Sequence, residues 1–491
     1  MVKTQNLLSI PRKLLTLYLF IIILSPIFFF LTRLIHGLLS HNNLESILTT
    51  SLLLSCVCLI ILCIQKNSLG NAATQLQISR EDVFALGLIV LISIFSYTIS
   101  INIFSAPSFY LYGDNIRHIS VIGDISMYPQ YFFSHTYSDG LDVKSGLFYP
   151  IQAHYLPNIL VELFPISNNE AYAYSIIYYI YFLFPTYLYL LLREFSNSVI
   201  SFYLTVLSSL ASIFPLKSVI LGYFALSYGN IILLLLLLTQ IKLIKRGNNL
   251  INLIAFIIFG FMLFVSHPSS LFIYLIIICT YQINTIKDVI FSKNKNLILI
   301  YLVGLGLFTY GISRLANFKA LMGTLPERNP YFNYSLESIA NRSIDIFVEY
   351  IYYMSDHQYV FPFFLLNLFL IIFISLKRRK FIKDFKFPFL LILFFHLIFT
   401  LSLFAGLDGV LKFLSYSGIF FYSSPARLSA ALVLSQLICA SICLKYLHDL
   451  YPDNSLSRTI SSKIIMILIV VFVILLNNQN MIYFYSIKNG Y

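Results

Sequence analysis

Continuous apolar runs of about 20 residues recur along almost the whole chain, and polar residues are confined to the segments between them. In a bilayer every backbone amide needs a partner within the protein, so only helices or closed barrels can cross it. The runs do not alternate with polar residues, which favours helices over barrel strands. The pattern therefore predicts an all-α fold, a polytopic helical membrane protein whose residues 1–491 form a single transmembrane domain.

We predict about 13 transmembrane helices, and we expect the first to be retained. Its apolar run is longer than the core of a typical signal peptide, and no small-residue cleavage site follows it. The predicted spans are 14–35, 47–64, 83–104, 171–192, 198–214, 220–240, 250–266, 270–284, 297–313, 359–376, 387–406, 426–445 and 463–477.

The distribution of charge orients these spans. With a cytoplasmic N-terminus, the inside segments hold 21 of the 32 lysines and arginines but only 7 of the 20 acidic residues. Lysine and arginine are enriched in cytoplasmic loops, so this alternation favours the span assignment and the orientation. The net charge of +12 is thus an orientation signal. With no soluble basic domain, it does not indicate a nucleic-acid partner.

Composition agrees with a multi-pass protein of the plasma membrane, in contact with membrane lipids. Hydrophobic residues make up 59% of the chain and charged residues 11%, with a mean hydropathy of +0.84, whereas soluble domains have about 25% charged residues. All six cysteines lie in predicted spans, so neither disulfides nor a thiolate metal site is indicated.

The long loops are predicted on the extracytoplasmic side, at 105–170 and 314–358, with a shorter one at 407–425. The first of them concentrates acidic residues, histidines and an arginine, and we expect the chemistry there. Phosphate-binding glycine loops and zinc-protease or CxxC motifs are absent from the sequence. An activated donor would therefore have to come from the membrane itself.

Asp114, Arg117 and His118 open this candidate site. If a helix restarts at this point, they lie at positions i, i+3 and i+4 on one face. A carboxylate at the mouth of a helix bundle can take a proton from an attacking hydroxyl, with a neighbouring histidine or cation tuning its pKa. The alternative is that Asp114 caps the helix and stays solvated.

Asp124 is the second acidic residue of the loop. With Asp114 it could supply carboxylate ligands for a divalent cation such as Mg or Mn, because hard cations take oxygen ligands. The alternative reading makes Asp124 a turn residue after Gly123. No other cofactor is indicated.

The segment FYPIQAHYLPNILVELF places His154, Asn158 and Glu162 at positions i, i+4 and i+8. This spacing predicts a polar stripe on an apolar helix, interrupted near its start by Pro157. The stripe could face the site or the solvent.

Three further residues are candidates for substrate binding. His267 lies in an external turn before Pro268, where a structural role is the alternative. Arg427 begins the twelfth predicted span from the outside, against the positive-inside trend, and could hold a phosphate or extend to the interface. Arg328 is a similar candidate in the second long loop.

In the order and external placement of these short motifs, the chain resembles multi-spanning glycosyltransferases of the GT-C type. The closer resemblance is to a GT-C-like family of bacterial envelope proteins known from actinobacteria. It covers about residues 80–445 and rests on Asp114 with His118, Tyr149-Pro150 with His154, His267-Pro268, and Pro425 with Arg427.

The resemblance implies transfer of a sugar from a polyprenyl-phosphate donor to a cell-envelope glycan or a lipid-linked acceptor on the outer side of the membrane. It implies that Asp114 acts as the catalytic base and that Arg427 and Arg117 bind the lipid phosphate. His118 and His154 would orient donor or acceptor.

Two other functions remain open at this point. A polysaccharide polymerase or ligase of the O-antigen type would share the size and span number but depend on external arginines, here Arg314, Arg328 and Arg342. A flippase or transporter would need ionisable residues within its spans, and His396 is the main example in this sequence.

Overall fold

The computed structural model describes residues 18–19, 21–33, 79–104, 115–127, 152–210, 224–246, 250–266, 270, 273–274, 277, 367, 372 and 425–450. Within these residues the secondary structure is entirely helical, without strands. The prediction of an all-α protein is thus confirmed for this part of the chain. The count of 13 spans, the sidedness of the loops and the GT-C-like architecture stay predictions, and the loop at 314–358 lies outside the described residues.

Ten α-helices are described, and several coincide with predicted spans. Two short π-helical turns interrupt or extend them: Tyr178–Leu183 joins α5 to α6, and Val206–Leu210 continues α7. The 3-10 turn Gln152–His154 leads directly into α4. The helices are α1 Ile21–Arg33, α2 Arg80–Phe104, α3 Asn115–Met127, α4 Tyr155–Leu163, α5 Asn168–Ile177, α6 Phe184–Arg193, α7 Ser198–Thr205, α8 Phe224–Arg246, α9 Leu250–Ser266 and α10 Pro425–Leu450.

Within the described residues, two stretches are long and apolar enough to cross a bilayer, namely Asn168–Arg193 and Phe224–Leu243. They overlap the predicted spans 171–192 and 220–240. The first is the continuous rod formed by α5, the π turn and α6. Pro185 lies near the start of α6. Proline cannot donate to the preceding turn and collides with its carbonyl, and a π turn is one way for a helix to accommodate this.

Local sequence signals set the ends of the helices. Ser167 caps α5 in a reciprocal capping box, because its side chain accepts from the backbone N–H of Glu170 while the Glu170 carboxylate accepts from Ser167. Asn197 caps α7 by accepting from the backbone N–H of Ile200 at 2.9 Å. Ser79 and Asp82 form a second capping box at α2.

Asp82 also ties three helix ends together. Its carboxylate accepts from the Tyr189 hydroxyl at 2.6 Å, from the Ser198 hydroxyl at 2.7 Å and from Arg193 Nε at 2.8 Å. Burial alone would raise the pKa of Asp82, but hydrogen bonds from Tyr189, Ser198, Ser79 and Arg193 outweigh it and hold the pKa below its ordinary value. The start of α2 is thereby fixed to the end of α6 and the start of α7.

Hydroxyl groups attach α1, and Tyr18 just before it, to the rod formed by α5, the π turn and α6. Ser25 lies 2.6 Å from the Tyr178 hydroxyl, and Tyr18 lies 3.1 Å from Thr186. The apolar core continues in α8, where the six leucines at 233–238 are all buried and the helix packs along α9 and α6. Hydrogen bonds of this kind add to close packing in joining apolar helices, since lipid is as apolar as the helices themselves.

Candidate functional site

The two histidines of the first predicted external loop form a buried pair. His118 lies on α3 and His154 ends the 3-10 turn, and both side chains are at most 1% exposed. Nδ1 of His118 is 2.9 Å from Nε2 of His154, and the ring centroids are 5.1 Å apart. At this distance one nitrogen must carry the proton and the other must accept it. Segments 36 residues apart thus share a single bridging proton.

Aromatic rings enclose the histidine pair. Phe224, the first residue of α8, contacts both imidazoles edge to face, with centroid distances of 5.6 Å to His118 and 5.5 Å to His154. The Tyr172 ring stacks on His118 at 6.1 Å and packs against Phe224 at 4.9 Å. The imidazole bridge is therefore shielded from bulk water on these sides, which strengthens hydrogen bonds within the site.

Polar contacts fix α3, the helix that carries His118. The Tyr172 hydroxyl donates to Oδ1 of Asn115 at 2.8 Å, and Nδ2 of Asn158 donates weakly to the carbonyl of Ile122 at 3.4 Å. Asn115 is the first residue of α3 and directly follows Asp114. Its hydrogen bond with Tyr172 of α5 therefore orients the start of α3. Gly123 allows a close approach to α5, since a Cβ at this position would lie 3.0 Å from the Asn168 side chain.

Arg33 holds the other end of α3. It is 1% exposed, and its Nη2 donates to the carbonyl of Ile125 at 2.9 Å. Carbonyls in the last turn of a helix lack intrahelical partners and attract cations. Tyr155, at the start of α4, lies within electrostatic range of Arg33; burial raises the pKa of Tyr155, and Arg33 offsets part of this rise. Arg33 therefore links α1 to the helix that carries His118.

Sequence reasoning missed Arg33, although a signal was available. Arg33 lies near the predicted outer end of the first span, against the positive-inside trend. The same signal singled out Arg427. Asn115 and Gln152, which are also buried in this site, carry no comparable signal.

The structure separates Arg117 from His118. Both are on α3, but Arg117 is exposed whereas His118 is buried, so they do not share one environment as the expected spacing implied. The reading of Asp124 as a turn residue is wrong. Helix α3 runs through Gly123 and Asp124 to Met127, and Asp124 is half-buried.

The predicted polar stripe is divided between interior and solvent. His154 and Asn158 are fully buried, whereas Glu162 is exposed. Pro157 does not interrupt α4 because it occupies the third helical position, where the missing N–H would have had no intrahelical partner. Two of the three stripe residues thus face the protein interior.

Several candidate residues lie outside the described part. Asp114, His267 and Arg328 are among them, and of Arg427 the structure places only the backbone, in the first turn of α10. Asp124 lies about 14 Å along the continuous helix α3 from Asn115, the residue that follows Asp114, so this helix does not favour the expected pairing of Asp114 with Asp124 at one cation. Within the described ranges, no three His, Cys, Asp or Glu side chains are grouped so that they could hold a metal ion.

The described ranges define an all-helical protein with two helices that could cross a membrane and a buried polar site built by shorter helices beside them. The chain belongs to the family of unknown function DUF6541, whose family model matches residues 5–484. No curated protein and no solved structure matches the chain.

Proposed function

We propose that the protein is an integral-membrane glycosyltransferase that moves a sugar from a polyprenyl-phosphate donor to a cell-envelope glycan or a lipid-linked acceptor outside the membrane. The observation that carries this proposal is the pairing of His118 with His154. It brings the segment that follows Asp114 and the segment that follows Tyr149-Pro150 into one buried site. These are two of the four motifs on which the GT-C resemblance rests, and their convergence supports a common role.

The reaction requires one bond to form and one to break. The acceptor hydroxyl oxygen attacks the anomeric carbon of the sugar, and the bond from that carbon to the phosphate oxygen breaks. Asp114 takes the hydroxyl proton as general base, and polyprenyl phosphate leaves with the electron pair. Arg427, together with Arg117 on the exposed side of α3, stabilises the negative charge that develops on the phosphate.

The histidine pair suits the task of orientation. The bridge fixes the two imidazoles relative to each other and joins the two segments that carry them. Groups on these segments therefore keep a constant position relative to donor and acceptor. His267 and Arg328 complete the proposed substrate-binding set.

The test uses a host that lacks the gene, complemented with the wild-type chain, Asp114→Asn or the exposed control Glu162→Gln. Lipid-linked sugars and envelope glycans are profiled by mass spectrometry at matched protein levels. Loss of a catalytic base costs about 10²–10⁴ in rate. We therefore expect Asp114→Asn to behave like the deletion, with one sugar missing from the envelope and its polyprenyl-phosphate form accumulating. Glu162→Gln should match the wild type.

A second variant separates the proposal from its main alternative. If Asp114→Asn is silent while Arg328→Ala leaves short, unpolymerised repeat units, the protein is a polymerase or ligase and the transferase proposal fails. If neither variant changes the glycans while lipid-linked precursors stay on the cytoplasmic side in the deletion strain, the protein is a flippase.

A further inference from the structure

Gln152 is a buried side-chain amide that the protein leaves unsatisfied. It is 1% exposed, and neither Oε1 nor Nε2 has a hydrogen-bond partner among the described residues. In the part of the chain that the structure describes, no other buried amide side chain lacks partners at both atoms. Buried polar groups are nearly always paired because an unpaired one costs stability. The unpaired side-chain amide of Gln152 therefore indicates a ligand-binding site.

The position of Gln152 is fixed relative to the histidine pair. Gln152 and His154 belong to the same 3-10 turn, and the turn contacts α3, α4, α8 and α9. Between them, the carbonyl of Ala153 accepts from the Tyr179 hydroxyl at 3.3 Å. The turn is thus anchored both by the membrane-type helix and by the bridge from His154 to His118. An amide on such a support is preorganised, which lowers the cost of binding.

The chemistry of the amide selects the class of ligand. Oε1 only accepts hydrogen bonds and Nε2 only donates them, so a ligand that satisfies both must offer a donor and an acceptor. An ionised phosphate offers acceptors alone and would leave Oε1 unpaired, whereas a metal cation would leave Nε2 unpaired. Neighbouring hydroxyl groups, each of which both donates and accepts, satisfy the two atoms together.

We infer that Gln152 binds hydroxyl groups of the sugar and thereby contributes to sugar specificity from the 3-10 turn that also carries His154. The inference rests on the proposed function for the lipid that carries the sugar, while the choice of a polyhydroxyl ligand rests on Gln152 itself. Such a site discriminates strongly, because an analogue that lacks a hydroxyl leaves a buried polar group unpaired. Gln152 is a specificity residue and takes no part in breaking the glycosidic bond.

The test measures binding to the full chain in lipid nanodiscs. The probes are undecaprenyl phosphate, undecaprenyl phosphates carrying glucose, galactose or mannose, and the same free hexoses at millimolar concentration. The variants are Gln152→Met, which keeps the length but removes both polar atoms, and Gln240→Met as control. Gln240 is a buried glutamine towards the opposite end of α8 from Phe224. Thermal midpoints of all three proteins without ligand establish that they are folded.

We expect the wild type to bind at least one sugar-bearing lipid more tightly than undecaprenyl phosphate. Gln152→Met should lose that preference, with affinity for the preferred lipid about tenfold weaker, as expected for two lost hydrogen bonds. Its affinity for undecaprenyl phosphate should not change, and Gln240→Met should bind like the wild type.

The other outcomes separate this inference from the proposed function. If Gln152→Met keeps the wild-type preference, or if the wild type binds bare and sugar-bearing lipids equally, the inference fails and the amide is satisfied by water, whereas the transferase proposal survives. If no polyprenyl lipid binds but a free hexose binds in a Gln152-dependent manner, the inference holds and the lipid donor is wrong. If no probe binds, both are overturned.

Discussion

The Asp82 carboxylate is the clearest place to test how this fold is held together. It accepts hydrogen bonds from Tyr189, Ser198 and Arg193, and it completes the capping box with Ser79. Substitution of Asp82 by alanine would remove all of these acceptors at once. The partners come from α2, α6 and α7, so the change should loosen the packing of three helix ends rather than one.

The expected loss of stability follows from what the substitution leaves behind. Tyr189 and Ser198 are fully buried, and a buried hydroxyl without a partner costs about 1–3 kcal/mol. Loss of the cap adds about 1 kcal/mol. The Arg193 side chain is 35% exposed, so water replaces much of its ion pair and its contribution is small. We therefore expect Asp82→Ala to lower the free energy of unfolding by about 3 kcal/mol or more.

The assay compares thermal unfolding of detergent-solubilised variants by fluorescence-detected size exclusion at one fixed heating protocol. Apparent midpoints are appropriate, because large multi-helix proteins need not unfold in two states. The matched control is Glu81→Ala, which removes the same charge from the neighbouring, exposed position in the same helical turn. Exposed substitutions of this kind typically stay within about 0.5 kcal/mol. If the two variants unfold at the same temperature, the carboxylate does not hold the three helix ends and the reasoning is refuted.

Three further predictions concern the same helices. The folded pKa of Asp82 is lowered from 3.8, so its stabilising contribution is complete well above that value and is lost as the pH falls through the folded pKa. The stability difference between wild type and Asp82→Asn should therefore shrink as the pH drops below 3.8, and a constant difference in unfolding midpoint from pH 7 to pH 3 would contradict the assignment. Gly87→Ala, whose new Cβ meets nothing within 4 Å, should stabilise α2 by up to about 1 kcal/mol. Gly123→Ala should gain less in the same thermal assay, because its Cβ would lie 3.0 Å from the side chain of the first residue of α5; equal gains would show that this contact does not constrain α3. In a double-mutant cycle, His118→Phe and His154→Phe should show a coupling of about 1 kcal/mol in unfolding free energy, whereas additive losses would mean that the imidazole bridge contributes nothing.

Hydropathy predicted where several of the long described helices occur, because backbone amides in an apolar environment must find partners within the protein and few structures allow this. The described helices Arg80–Phe104, Leu250–Ser266 and Pro425–Leu450 lie over the predicted spans 83–104, 250–266 and 426–445. The capping box of Ser167 and Glu170 that opens α5 was not predicted, although its signal lies within one helical turn of the sequence.

The turn expected at Gly123 and Asp124 did not form because tertiary packing overrode the local preference. Val121, Ile122 and Ile125 are completely buried, and only a continuous helix places them together on the interior face of α3. The glycine that suggested a turn instead permits close packing against α5. A dipeptide signal could not reveal this, since the residues that decide it come from another helix.

The polar residues of the site were harder to assign because burial is a property of the assembled helices. Arg117 and His118 are neighbours in sequence, yet only His118 is buried. The spacing of Asp114, Arg117 and His118 was equally compatible with either side facing inward. Arg33 lies about 90 residues from its partner Ile125, and no periodicity connects segments at such a distance. Polar residues in a membrane-type helix can thus be recognised in the sequence, whereas the residues that they contact cannot.

The π turn explains how a membrane-type helix can shape this site. Tyr178–Leu183 contains one more residue than the same stretch of α-helix would need, which rotates the helix before it by about 100° relative to the helix after it. On one side of the rod, Tyr178 bonds to Ser25 of α1. On another side, the Tyr179 hydroxyl donates to the carbonyl of Ala153, which lies between Gln152 and His154 in the 3-10 turn. A single helical irregularity therefore joins the packing of α1 to the placement of the histidine pair.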